Sequence, residues 1–187
     1  NGVKAGSGKI TVAFKPTSGN YSTPASKTVS VTVDRATITN VPSQNGTLTY
    51  NGNSQTPSWN NYDSVKMTVG GTTSGTNAGT YSATFTPKAN YKWSDGSTTA
   101  KSVNWTIGKA NNTLKLSKTS ETIYVLATLD ISTLVSSSQG TLSYTIDANT
   151  YASLTGSKLT AKELSASNDN NGTVKVTVNA AESVNYK

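Results

Sequence analysis

The sequence repeats one pattern of two alternating strands, and this repetition limits the folds open to the chain. Segment 79–91 (GTYSATFTPKANY) and segment 8–21 (GKITVAFKPTSGNY) share an opening Gly, a Phe-x-Pro and a closing Asn-Tyr. The following strand recurs too, because AKSVNWTIGKA at 100–110 parallels SKTVSVTVDRA at 26–36. A third copy, GTVKVTVNAAESVNYK, starts at Gly172. A period of roughly 75 to 80 residues predicts small domains in tandem.

Apolar and small polar residues alternate inside each copy, as expected for a strand with one buried face. In the middle copy, Tyr81, Ala83 and Phe85 alternate with Ser and Thr, and turn signals such as Asn45-Gly46 and Asp95-Gly96 separate the strands. These features predict an all-β fold of tandem immunoglobulin-like Greek-key β-sandwiches.

The alternation also predicts which side chains of the middle repeat face inward. The expected core consists of Leu48, Met67, Tyr81, Phe85, Val103, Trp105 and Ile107, and the expected outward residues are Lys66, Ser82, Thr84 and Asn104. A shift of one residue in the Trp105 strand would reverse every side chain along it.

The repeats divide the chain into three predicted segments with short junctions. Residues 1–35 are expected to be the C-terminal half of an Ig-like repeat, residues 36–109 a complete repeat, and residues 110–187 a repeat lacking its last strand. The junctions are too short to act as flexible tethers, which predicts a stiff array.

The two incomplete repeats need strands from elsewhere, because two or three strands without a partner sheet are marginal in water. The expectation is that the segment belongs to a longer chain. The alternative is strand addition between copies, in which residues 26–33 of one molecule pair with residues 172–178 of the next.

Composition argues against catalysis. The chain has no His and no Cys, so it lacks the usual general base and the thiol nucleophile. Its nine acidic residues form no close pair in a recognisable motif, and no Ser-x-x-Lys opens a helix. We therefore expect a protein that is not an enzyme and that uses no cofactor and no metal.

The net charge of +7 suggests acidic polymers as partners, but its distribution favours solvated strand faces. The excess lies in residues 1–109, mostly as single lysines on alternating strand positions, and Arg35 is the only arginine. Nucleic-acid-binding proteins usually cluster Lys and Arg on one face. No specific nucleic acid is expected, and no stretch is apolar enough for membrane insertion.

Two further sites have ordinary structural alternatives. The oxygen-rich loop 168–172 could hold Ca²⁺, yet it lacks a closing bidentate acid and reads more simply as a turn. A Lys-to-Asn amide crosslink in the third repeat could involve Lys115, Glu121 and Asn179. Such a bond would lower the intact mass by one ammonia.

The run at 141–178 (TLSYTIDANTYASLTGSKLTAKELSASNDNNGTVKVTV) resembles bacterial immunoglobulin-like domains of the Big type. Residues 36–109, with the run YDSVKMTVGGTTSGTNAGTYSATFTPKANYKWSDG, look like repeats of large surface proteins of Gram-positive bacteria and of phage structural proteins. The resemblance specifies the fold better than the function, since such domains serve as stalks, adhesive modules and virion decorations. It implies an extracellular location on a bacterial cell surface or phage virion.

The leading function is therefore a structural spacer whose partners are neighbouring repeats of the same or an adjacent chain. The alternative is an adhesion module that binds surface glycans through loop aromatics of the middle repeat. An electrostatic binder of acidic polymers is a third alternative. The candidate ligand surface consists of Trp59, Tyr62, Tyr91 and Trp93.

These aromatic residues also have a structural interpretation. Tyr91 and Trp93 could instead close the end of the sandwich as a lid. The recurrence of Asn-Tyr at 20–21, 90–91 and 185–186 indicates a structural corner.

Overall fold

The computed structural model describes residues 4–13, 15, 19–20, 22, 24–163 and 172–187. Every regular element in these ranges is a strand, apart from one 3-10 turn at Ile131–Leu134, so the predicted all-β class is confirmed. The fold divides into two compact units. The first is Asn1–Thr47, Gln55–Gly75 and Thr80–Thr106, and the second is Leu48–Ser54, Thr76–Gly79 and Ile107–Lys187. The repeat boundaries after residues 35 and 109 stay a prediction.

The described strands up to residue 108 are β1 (Gly6–Val12), β2 (Lys27–Val33), β3 (Ala36–Ile38), β4 (Ser43–Asn45), β5 (Leu48–Thr49), β6 (Ser58–Asn60), β7 (Met67–Gly71), β8 (Gly79–Pro87), β9 (Tyr91–Trp93) and β10 (Lys101–Gly108). The strands that follow are β11 (Lys115–Leu116), β12 (Thr128–Asp130), β13 (Val135–Ser137), β14 (Leu142–Ile146), β15 (Ala152–Thr155), β16 (Lys158–Ala161) and β17 (Val176–Ala180).

In the first unit, β8 lies between β7 and β10 in one sheet. β7 and β8 are antiparallel, with Met67 opposite Pro87 and Gly71 opposite Ala83. Gly71 has φ +71°, and a Cβ there would lie 2.9 Å from the Ser82 carbonyl oxygen. Only glycine fits this approach of two backbones without strain.

The predicted inward face of the middle repeat is largely confirmed. Met67, Phe85, Trp105 and Ile107 are buried, and Leu48, Tyr81 and Val103 are half-buried. Lys66, Ser82 and Asn104 are exposed as predicted, whereas Thr84 is half-buried. Its Oγ1 lies 3.2 Å from the position of a Cβ on Gly70, so the small residue on β7 leaves room for it.

Trp105 satisfies its one polar atom inside the unit. Its ring stacks on Tyr81 with centroids 4.5 Å apart, and its Nε1–H donates to the Thr72 carbonyl oxygen at 2.7 Å. A buried indole needs such a partner because an unpaired N–H away from water is costly. The burial of Trp105 confirms the predicted strand register.

Two short strand pairs flank this sheet in the first unit. β3 runs parallel to β9, with Ile38 opposite Trp93, and β4 runs antiparallel to β6. The Gln44 side chain also bonds to the backbone of Thr106, donating from Nε2 to its oxygen at 3.0 Å and accepting from its nitrogen at 2.8 Å. The Gln44 side-chain amide thus makes the two hydrogen bonds to Thr106 that the backbone of a neighbouring strand would otherwise make.

The second unit places a three-stranded sheet, in the order β12-β16-β15, beside the pairs β14-β17 and β11-β13. Its buried centre is Ile131, Ala152 and Leu159. In this unit β5 also runs parallel to the end of β10, with Leu48 opposite Ile107.

Residues 123–131 carry several apolar side chains but do not form one continuous strand. Only Thr128–Asp130 is a strand, because Leu126 has φ +61° and Asp130 starts the 3-10 turn. The Asp130 carboxylate accepts from the Ser132 backbone N–H at 3.0 Å and from its hydroxyl at 2.6 Å. This capping is the typical role of Asp at a turn start.

None of the described helical segments is long and apolar enough to cross a membrane.

Candidate functional site

The four aromatic residues of the predicted ligand surface occupy three different environments. Trp93 is 1% exposed, and its Nε1–H donates to the Thr99 carbonyl oxygen at 2.9 Å. The Lys101 ammonium lies 5.3 Å from the Trp93 ring centroid. With its ring buried, Trp93 has no face available for stacking on a sugar, and its position matches the lid-or-core alternative.

Trp59 and Tyr62 are brought together by one buried ring. Both contact Phe85, with centroid separations of 4.9 Å for Trp59 and 5.7 Å for Tyr62, and both remain half-buried. The Trp59–Phe85 contact is edge-on, a geometry that stabilises an aromatic pair beyond its buried area. Of the predicted ligand surface, the exposed parts of the Trp59 and Tyr62 rings are available for stacking.

Tyr91 belongs to a structural corner. It lies opposite Ala36 in the parallel β3-β9 pair, and Ala36 N–H donates to the Asn90 carbonyl oxygen at 2.9 Å. The backbone N–H of Tyr91 donates to the Lys88 carbonyl oxygen at 2.8 Å. We call the pairs Asn90-Tyr91 and Asn185-Tyr186 the Asn-Tyr corners.

The second Asn-Tyr corner repeats this arrangement in the second unit. Ala110 lies opposite Tyr186 in a parallel bridge, and Ala110 N–H donates to the Asn185 carbonyl oxygen at 2.9 Å. The Tyr186 ring also meets the Tyr50 ring edge-on, with centroids 5.3 Å apart. Ala36 and Ala110 are the first residues of their predicted repeats, so each corner pairs with the start of its own repeat.

The Asn side chain of each corner also accepts a hydrogen bond from the preceding predicted repeat. Asn90 Oδ1 accepts from the Ala5 N–H at 3.2 Å, and Asn185 Oδ1 accepts from the Ala78 N–H at 2.8 Å. Asn185 Nδ2 further donates to Asn77 Oδ1 at 3.1 Å. We call these contacts the corner latches.

The last residue of each preceding predicted repeat is basic, and its side chain contacts a residue close in sequence to the corner. Arg35 Nε donates to the Ala89 carbonyl oxygen at 2.9 Å, and Lys109 Nζ contacts Glu182 Oε2 at 2.8 Å. Arg35 and Lys109 occupy matching positions, directly before the first Ala of the next repeat. The sequence shows a basic residue in both linkers, but it does not show that their partners are Ala89 and Glu182.

Ion pairs and hydrogen bonds lower the pKa of several exposed carboxyl groups. A hydrogen bond from Lys92 lowers the pKa of Asp34, and one from Lys109 lowers the pKa of Glu182. Hydrogen bonds from Lys101 and Ser97 hold the pKa of Asp95 far below its usual range. These groups stay ionised, so they are unsuited to act as general acids near neutral pH.

The other chemical candidates find little support. Glu121 pairs with Lys118 at 2.6 Å, and this hydrogen bond lowers its pKa, whereas Lys115 and Asn179 lie exposed on β11 and β17. Among the described residues, no three acidic side chains lie close enough together to hold a metal ion. Most of the predicted Ca²⁺ loop, residues 168–171, lies outside the described residues.

Comparisons with protein-family models, with curated proteins and with solved structures returned no match to this chain.

Proposed function

We propose that the chain is a non-catalytic structural spacer of tandem immunoglobulin-like Greek-key β-sandwiches. We place it in an extracellular bacterial surface protein or phage appendage, as its resemblance to Big-type repeats implies. The observation that carries the proposal is the corner latch, in which Oδ1 of Asn90 and Oδ1 of Asn185 each accept from a backbone N–H of the preceding predicted repeat. A contact repeated at both predicted junctions supports a role in fixing one repeat against the next.

The linkers leave little slack for independent movement. Ala36 and Ala110 each enter a parallel pairing with the Asn-Tyr corner one residue after the basic linker residue. Asn185 adds two hydrogen bonds, each of which contributes about 0.5–1.5 kcal/mol. Their combined loss of about 1–3 kcal/mol corresponds to a change of roughly 5- to 150-fold in the equilibrium between latched and open junctions.

Distance distributions between two spin labels test this proposal directly. The chain has no Cys, so Ser102→Cys and Ser153→Cys introduce one label on each of the last two predicted repeats at exposed strand positions. We expect one narrow distribution in this background and a broader one after Asn185→Ala. Asn179→Ala removes an exposed Asn elsewhere in the same repeat and is the matched control.

A broad distribution before any latch substitution would mean that the repeats move independently, and the spacer proposal would then fail. An equal broadening by Asn179→Ala would remove the role assigned to the latch. Amide spectra of each variant show whether both units remain folded.

A glycan-binding module is the second candidate, favoured by the adjacent half-buried rings of Trp59 and Tyr62. Tyr62→Ala removes one ring and leaves the closer Trp59–Phe85 contact in place. Retention on a glycan surface that is lost in Tyr62→Ala, with an unchanged melting temperature, would favour adhesion. Absence of retention at physiological salt is expected for a spacer.

A further inference from the structure

The hairpin β1-β2 carries an apolar face that is exposed to solvent. Antiparallel pairing places Ile10 opposite Val29, Gly8 opposite Val31 and Gly6 opposite Val33. Alternate residues of a strand share one face, so the apolar members form one patch, which we call the hairpin face. Its residues are Ile10, Val12, Val29, Val31 and Val33, with exposures of 57%, 64%, 57%, 39% and 39%.

The same positions of the middle repeat are covered. The shared Gly and Phe-x-Pro place β1 over β8, and the shared Lys and Ala residues place β2 over β10. Val12 then corresponds to Ala83, at 0% exposure, and Val31 to Trp105, at 1%. β8 and β10 are neighbours in one sheet, as β1 and β2 are. One strand pair thus occurs both covered and uncovered in the same chain.

The front half of the middle repeat, residues 36–71, contributes to the cover of the β8 and β10 face. Met67 at the start of β7 is 1% exposed. The Trp59 ring contacts Phe85 on β8, with centroids 4.9 Å apart. A segment that fits such a face therefore resembles residues 36–71, which bring Met67 and Trp59 to this side of the middle repeat.

We propose that the hairpin face binds the front half of a further repeat, equivalent to residues 36–71 of this chain, supplied by a preceding stretch of the same polypeptide. A second copy of this chain is a poor source, because its own residues 36–71 are already engaged by β8 and β10. The inference rests on the proposed spacer function in so far as it extends the repeat array by one more repeat.

The test is a graft on the full chain. Residue correspondence places Asn1 over Thr72, so a second copy of residues 36–71 is joined directly before Asn1. We expect amide hydrogen exchange at residues 27–33 to slow by about tenfold or more in the graft, because the hairpin becomes part of a packed domain. A graft with the same 36 residues in scrambled order is the negative control.

A second grafted variant tests whether protection depends on the residues of the hairpin face. The substitutions Val12→Ala and Val31→Trp rebuild the face of the middle repeat on the hairpin, where the grafted half-repeat has its own natural contacts. Protection in this control but not on the native hairpin would overturn the proposal. So would protection by the scrambled graft, or absence of protection in both.

The behaviour of the ungrafted chain is equally decisive. Exchange at residues 27–33 that slows with rising protein concentration would show that a second copy covers the face, against the proposal. Spin labels at Ser102 and Ser153 report on a different part of the chain, so a failure of the spacer function and a failure of this inference are distinguishable.

Discussion

Replacing Trp105 tests the packing of the middle repeat at a buried ring with a hydrogen-bonded N–H. The side chain is 1% exposed, stacks on Tyr81 at 4.5 Å and donates to the Thr72 carbonyl oxygen at 2.7 Å. Trp105→Ala removes all three features. Trp105→Phe keeps a ring but removes the N–H donor. Asn104→Ala, on the exposed side of the same strand, is the matched control.

The expected magnitudes follow from this environment. Truncating a buried Trp to Ala costs about 3–5 kcal/mol, because the lost transfer free energy adds to that of the cavity left behind. For Trp105→Phe we expect about 1–3 kcal/mol, since the Thr72 carbonyl oxygen loses its donor. An exposed substitution such as Asn104→Ala is expected to change the free energy of unfolding by less than about 0.5 kcal/mol.

Urea unfolding followed by tryptophan fluorescence measures these differences within one unit, because Trp59, Trp93 and Trp105 all lie in the first unit. With a denaturant slope of about 1–3 kcal/mol/M, Trp105→Ala should lower the midpoint by at least about 1 M. If Trp105→Phe lowers the free energy of unfolding no more than Asn104→Ala does, the hydrogen bond from the indole N–H to the Thr72 carbonyl oxygen does not stabilise the fold. The strand register would then be displaced by one residue.

The remaining predictions address a close contact, a side-chain bridge and pH. A Cβ on Gly75 would lie 2.4 Å from the Tyr81 ring, so Gly75→Ala should destabilise by about 1–3 kcal/mol in thermal unfolding, whereas Gly8→Ala, with open space around it, should cost far less. Gln44→Ala removes two hydrogen bonds to the Thr106 backbone and should cost about 1–3 kcal/mol in urea unfolding, and a neutral result would contradict the bridging role. Carboxyl groups with a lowered pKa stabilise the fold above their ordinary pKa of 3.8, and this stabilisation is lost as pH falls through their folded pKa. Because the chain has no His, the melting temperature should be nearly constant between about pH 5.5 and 8 and fall only below about pH 4, and a transition near pH 6.5 would contradict this assignment.

The strands with strict alternation were the most predictable part of the fold. β8 and β10 follow the period of two closely, and the residues predicted inward on them are buried or half-buried. Residues 123–131 were harder, because a mixed apolar run does not reveal a left-handed residue at Leu126 or a capping Asp130.

The short strands were missed for a different reason. β4, β6 and β9 have only three residues each, too few to show a period, and β9 forms through a parallel partner distant in sequence. Trp93 was placed in a loop for the same reason. Its burial depends on that long-range pairing and on the Thr99 carbonyl oxygen, which local pattern cannot supply.

The sequence by itself determined the all-β class and the inward face of the long strands, and its repetition marked the Asn-Tyr pairs as a corner. These properties follow from local alternation and recurrence, which are written along the chain. Only the tertiary structure decided that Asn90 and Asn185 bind the backbone of Ala5 and Ala78, residues distant in sequence. It also decided that Val31 is exposed while its counterpart Trp105 is buried. Burial depends on what lies across from a strand, and that is not a property of the strand's own residues.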